Sequence, residues 1–297
     1  MLKAILGMLT IITAGFTTVY VKDFKKNRDT QVKGVFGQGL VIGFITDFLD
    51  AIGVGSFATT TAILKFNKKV DVPDKILPGT LNVAHSLPMI AQAFLSLTSI
   101  DIDIFTLICM IVSAVVGSWI GAGVISKLPE KKVQLTMGIA LAATAVLLIL
   151  KQLGLMPAGG DAMGLTGTKL IIGVVGNFIL GALMTAGIGL YAPCMAMVGL
   201  LGMNPKAAFP IMMGACAFVG PIASTKFVKE GAYAREVSMG ITIGGVVGSV
   251  LALLFVTNMP VYWLNWLVVC VVVYTSVTMF KSALNKNTEV QLEEKIS

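Results

Sequence analysis

The sequence predicts an all-α polytopic membrane protein made of two inverted repeats, on three observations. Each repeat is a broken-helix hairpin plus three transmembrane helices, and an extra N-terminal helix precedes them. The first observation is composition: 56% of the 297 residues are hydrophobic and 12% charged, whereas a soluble domain carries about 25% charged residues. The second is that the segments between charged clusters are long enough to cross a bilayer, which takes about 20 apolar residues. The third is that the two halves align with each other.

The elements follow in order. A first apolar segment, about 2–20, reads as a retained helix rather than a signal peptide, because its basic residues (Lys22, Lys25, Lys26, Arg28) follow it instead of preceding it. The next segment, 34–66, is too long for one straight crossing and is interrupted at DFLDAIGVGS by Asp47, Asp50, Gly53 and Gly55. It reads as two short helices meeting at a break. Ordinary helices are expected over about 76–98, 105–128 and 133–150. A glycine-containing polar linker then leads to a second interrupted segment, about 170–201, and to helices over about 207–227, 237–256 and 261–280. The units are therefore 1–33 (N-terminal helix and basic loop), 34–152 (first repeat), 153–168 (linker), 169–282 (second repeat) and 283–297 (tail).

The repeat rests on paired landmarks. Gly53 aligns with Gly187, Gly55 with Gly189, Pro78 with Pro210, AVVGS at 114–118 with GVVGS at 245–249, Pro129 with Pro260, and Lys151 with Lys281. The offset drifts smoothly from 134 to 130, as small loop deletions would produce. If each interrupted segment enters and leaves on one side, three crossings follow per half, and the second half is inverted. That topology puts 18 of the 22 basic residues on one side, in the loops 22–33, 65–75, 127–132 and 226–235 and, from Lys281 onward, at the C-terminal end. The acidic loop with Asp101 and Asp103 falls on the other side. The positive-inside rule then makes the basic side, and the C-terminus, cytoplasmic.

The net charge of +7 does not point to nucleic acid, because the basic residues sit in short loops between apolar segments. The four cysteines form no CxxC pair and His85 is the only histidine, so no cofactor or metal site is expected. There is no phosphate-binding GxxxxGK[ST] loop, no HExxH, and no serine–histidine pairing with an evident orienting acid. An ATP-driven pump and an intramembrane enzyme are accordingly disfavoured.

Corresponding breaks in inverted repeats are the sequence feature that points to a transporter's substrate site. A break exposes backbone N–H groups at the start of the second half-helix, and these favour an anion. Substrate-binding candidates at the first break are Gly53, Gly55, Ser56, Thr59 and Thr60, and at the second Gly187, Gly189, Tyr191 and Cys194. Asn82, His85 and Ser86 share one helical face by their spacing, and Asn82 and His85 join the candidate set. The competing reading of the glycines is close helix packing, which is preferred for Gly117, Gly121, Gly244 and Gly248. Asp47 and Asp50 are proton-coupling candidates, since ionisable residues at membrane depth are functional hypotheses by default. The alternative is that Asp50 caps the second half-helix and Asp47 meets a loop lysine. The second half has no acid at the matching place.

The stretches DFLDAIGVGSFATTTAILKF and PGTLNVAHSLP in the first half, and GALMTAGIGLYAPCMAMVGLLGMNPKAAFPIMMGACAF in the second, resemble the sulfite exporter TauE/SafE family of membrane permeases. The resemblance runs from Gly34 to Phe280. It implies a permease of the cytoplasmic membrane and small anionic sulfur compounds, such as sulfite or organosulfonates, as substrates. Ser56 and Leu190 stand where a further glycine is frequent in that family. A secondary transporter is thus expected, with a small anion and the lipid bilayer as its partners. A passive anion channel and a transporter of another small solute are the alternatives, and a homo-oligomer is left open.

Overall fold

The structure is a computed structural model that describes residues 2–27, 35–67, 69–96, 102–156, 159–187, 189–204, 207–255 and 262–284. The basic segment 28–33, Pro260 and the tail 285–297 lie outside them. The described residues form eleven α-helices and no strand: α1 (Leu2–Asn27), α2 (Phe36–Ala51), α3 (Ser56–Phe66), α4 (Leu77–Ser96), α5 (Ile104–Ile125), α6 (Glu130–Gln152), α7 (Gly167–Met184), α8 (Tyr191–Leu200), α9 (Ala208–Lys229), α10 (Arg235–Phe255) and α11 (Tyr262–Leu284). Both interrupted segments are thus broken, between α2 and α3 and between α7 and α8.

Six of these helices (α5, α6, α7, α9, α10 and α11) are long and apolar enough to cross a membrane. Their outward faces carry large apolar side chains in helical register, such as Ile108, Val112, Val116 and Ile120 on α5 and Ile171, Val175 and Ile179 on α7, all exposed. A soluble monomer rarely exposes apolar patches above a few hundred Å². Lipid accommodates such a surface.

The packing is orderly. With α2–α6 set beside α7–α11, the principal contacts of one set recur in the other. Helix α2 packs on α10 as α7 packs on α5, α4 on α10 as α9 on α5, and α3 on α11 as α8 on α6. The pairs α4–α9 and α6–α11 are their own counterparts. Helix α1 has no counterpart and lies mainly on α9, with lesser contacts to α4 and α10. It is fastened by Asp23, whose carboxylate accepts from Arg235 Nε at 2.7 Å and Tyr233 OH at 2.6 Å.

Small residues make the closest of these contacts possible. A Cβ at Gly117 would collide with the Phe178 carbonyl, one at Gly181 with the Ala114 carbonyl, one at Gly244 with the Leu40 carbonyl and one at Gly248 with the Phe44 carbonyl. The α5–α7 and α2–α10 pairs therefore bring backbone against backbone, as small-residue interfaces do in membranes.

Helix α4 is the exception to the apolar rule. It is buried along nearly its whole length, yet carries Asn82, His85, Ser86 and Gln92, each no more than 2% exposed. Buried polar groups must find partners, so this central helix organises the hydrogen bonds of the interior. Ser86 Oγ meets Ser224 Oγ of α9 at 2.8 Å, and the Ala84 carbonyl accepts from Thr242 of α10 at 2.8 Å.

Candidate functional site

At the first break the chain leaves α2 through Gly53 at φ 94° and enters α3 through Gly55 at φ 90°. Both lie in the left-handed region, where a Cβ costs about 1 kcal/mol or more. Asp50, in the last turn of α2, reaches across the break. Its Oδ1 accepts from the Ser56 backbone N–H at 2.8 Å, and its Oδ2 accepts from Gln92 Nε2 at 3.0 Å. Asp50 therefore satisfies the first free amide of α3, the capping role expected as one alternative.

Asp47 lies one turn earlier and is fully buried. Its two carboxylate oxygens stand 2.8 and 2.9 Å from His85 Nδ1. His85 Nε2 in turn stands 2.9 Å from Thr60 Oγ1. The partner of Asp47 is this histidine of α4 and not a loop lysine. A Gln92–Ser249 bond of 3.1 Å ties the two acids' surroundings together, and Ser249 Oγ donates to the Asp47 carbonyl at 3.4 Å. The sequence of carboxylate, imidazole and hydroxyl has the order of a nucleophilic triad, which sequence inspection did not find. Thr60 is wholly buried, so no substrate bond can reach its oxygen in this conformation.

The neighbouring hydroxyls are occupied locally. Thr59 Oγ1 donates to the carbonyls of Gly55 and Ser56, both at 2.9 Å, and Thr61 Oγ1 to that of Phe57 at 2.8 Å. This back-bonding to the preceding turn is common for threonine in helices.

The second break is built differently. Gly187 has φ 101°, whereas Gly189 lacks a positive φ. Asn82 of α4 donates to the Thr185 carbonyl at 3.3 Å and to the Pro78 carbonyl at 2.8 Å, which ties the end of α7 to the central helix. Cys194 is buried in the apolar core. Tyr191 opens α8, but its side chain lies outside the described residues.

A cavity of about 50 Å³ joins the two breaks. The first contributes Asp50, Gly55, Ser56 and Phe57, and the second Met184, Gly189 and Leu190. Helix α4 adds Met89 and Gln92, and α9 adds Met212, Met213 and Cys216. Because the space lies where α3 and α8 begin, the positive ends of both half-helices point toward it. Residues 1–148 match the family model described as sulfite exporter TauE/SafE. The chain belongs to the TauE/SafE family. No curated protein and no solved structure matches it.

In this TauE/SafE chain, Asp50, Gly55, Ser56 and Gly189 of the sequence-derived candidates face the cavity. Asp47, His85 and Thr60 form a polar core behind it. Asn82 braces the second break, and Gly53 and Gly187 shape the backbone. Gln92 was missed, although it sits seven residues beyond His85, on the same helical face. The methionines were missed because methionine also fills ordinary cores. A second overlooked residue is Lys151, whose Nζ donates to the Gly53 carbonyl at 3.4 Å from the far end of α6.

Proposed function

We propose that this TauE/SafE chain is a secondary permease for a small sulfur oxyanion or organosulfonate in the cytoplasmic membrane, with the anion binding between the two helix breaks and its passage coupled to protons. The observation that carries the reading is that both breaks face one cavity. In this reading α2–α6 and α7–α11 are inverted repeats, and the recurrence of packing pairs supports that assignment. The C-terminus lies on the cytoplasmic side in this reading, which the distribution of basic residues supports.

The chemistry follows from Asp50. Its carboxylate already occupies the Ser56 amide, a place an incoming anion would use, so it acts as a tethered competitor. Protonation removes its negative charge and weakens its hold on that amide. The anion then meets the free ends of α3 and α8 without a like charge beside it. Asp47 and His85 form an adjoining acid–base pair that can pass a proton without exposing a charge to lipid. Among the described residues, no lysine, arginine or histidine lines the cavity. The anion is then held by amides and hydroxyls, weakly enough for release.

The test is radiolabelled sulfite flux in proteoliposomes, with and without an imposed proton gradient. Wild type should show saturable, gradient-driven flux. Asp50→Asn, which keeps the oxygen that caps Ser56 but cannot ionise, should retain flux and lose the gradient dependence. Flux that is linear in concentration and indifferent to the gradient would contradict the reading.

A further inference from the structure

The cavity between the breaks is unusual in its sulfur. The chain has 16 methionines and 4 cysteines among 297 residues, yet five of the twelve residues around this space are Met89, Met184, Met212, Met213 and Cys216. They come from three separate helices, α4, α7 and α9. Methionines that merely filled a gap would close it, and here they border an open space. The only charged side chain among the lining residues is the Asp50 carboxylate. Thioethers and a thiol are soft ligands, and such sets select Cu(I) over harder cations.

We propose that this cavity is a binding site for a soft monovalent metal cation of the Cu(I) class. Methionine sulfurs from α4, α7 and α9 and the Cys216 sulfur supply the ligands, and the Cys216 thiolate balances the single positive charge. The assignment stands apart from the anion reading, because it rests on the sulfur atoms around the cavity and not on the helix ends. Cys216 binds as its thiolate, so one proton leaves the sulfur for the buffer as each metal ion enters. No electron is transferred. A metal ion in this position would fill the space between the breaks and hold them apart from any other ligand.

Ag(I) is the probe, since it shares the charge and softness of Cu(I) without its redox chemistry. Purified full-length protein is titrated calorimetrically in chloride-free detergent buffer. All variants carry Cys109→Ser and Cys270→Ser, which removes the half-buried and exposed thiols of α5 and α11. The background protein should bind about one tight equivalent of Ag(I), with about one proton released. Met213→Leu conserves volume and should weaken binding at least tenfold. Cys216→Ser should weaken binding similarly and abolish the proton release. Met8→Leu, on the exposed face of α1, should change neither. Elution profiles matching the background protein establish that the variants are folded. No tight equivalent, or equal affinity and proton release in the cavity variants, would overturn the proposal, and neither result bears on sulfite flux.

Discussion

The two breaks occupy corresponding places in the chain, yet among the described residues a connected polar network surrounds only the first. At the first, Asp47, Asp50, His85, Gln92 and Ser249 form a connected set of hydrogen bonds around the bend. At the second, Met184 and Leu190 stand around the bend and Asn82 braces it from α4. Because a buried polar group without a partner costs about 1–3 kcal/mol, the first break is held by a network that must be kept whole. The second is held by packing. In the proposed mechanism this difference becomes a division of labour, in which the first break responds to protons and the second provides a fixed wall.

The largest effect should come from breaking the Asp47–His85 pair. His85→Leu leaves a wholly buried carboxylate without its partner, and such losses cost about 3–5 kcal/mol. Thermal unfolding in detergent should show a large drop in midpoint. Adding Asp47→Leu should recover much of it, since an apolar pair avoids the uncompensated charge. If the double variant is as unstable as the single, the pair is not what holds the first break together.

A smaller effect separates the glycines. Gly187→Ala forces a Cβ into φ 101°, with a cost of about 1–3 kcal/mol. Gly189→Ala meets no atom within 4 Å and should leave stability nearly unchanged. Equal destabilisation by the two would remove the distinction between the shaping glycine and the cavity-facing one. Asn82→Ala should cost about 1 kcal/mol, less than any change to the Asp47 pair, because it removes hydrogen bonds between neutral groups only.

These contrasts bear on what the sequence could reveal. The breaks themselves were legible, because paired glycines interrupting overlong apolar segments leave few other readings. So was the small-residue packing of Gly117, Gly121, Gly244 and Gly248. The partner of Asp47 was not legible. His85 lies 38 residues away, on a helix whose position depends on the packing of α2, α9 and α10. Helix ends also moved, as α1 runs on to Asn27 beyond the apolar stretch. There Asp23 anchors it to Tyr233 and Arg235, more than 200 residues later, and no local pattern signals that.

The smallest effect belongs to a site distant from both breaks. Asp103 caps α5 by accepting from the Thr106 amide at 2.7 Å, and hydrogen bonds from the Thr106 hydroxyl and amide hold its carboxyl below the usual carboxylate range. A carboxyl with a lowered folded-state pKa stabilises the fold above its unfolded value, near 3.9, and this is lost as pH falls through the lowered value. Asp103→Asn should therefore narrow the gap in stability between neutral and strongly acidic pH, with sulfite flux unchanged. A changed flux would mean that the acidic loop takes part in transport.

The central claim is that the two breaks face one shared substrate space. The direct measurement places cysteines at Ser56 and Gly189 in a background with the four native cysteines replaced, and treats vesicles with a short bifunctional thiol reagent. Gly189 lacks a positive φ and has open space around it, so it tolerates the new side chain. The account predicts that Ser56→Cys and Gly189→Cys become cross-linked, that the cross-link stops sulfite flux, and that saturating sulfite slows its formation. Cross-linking that leaves flux intact, or a pair that never links, would contradict it.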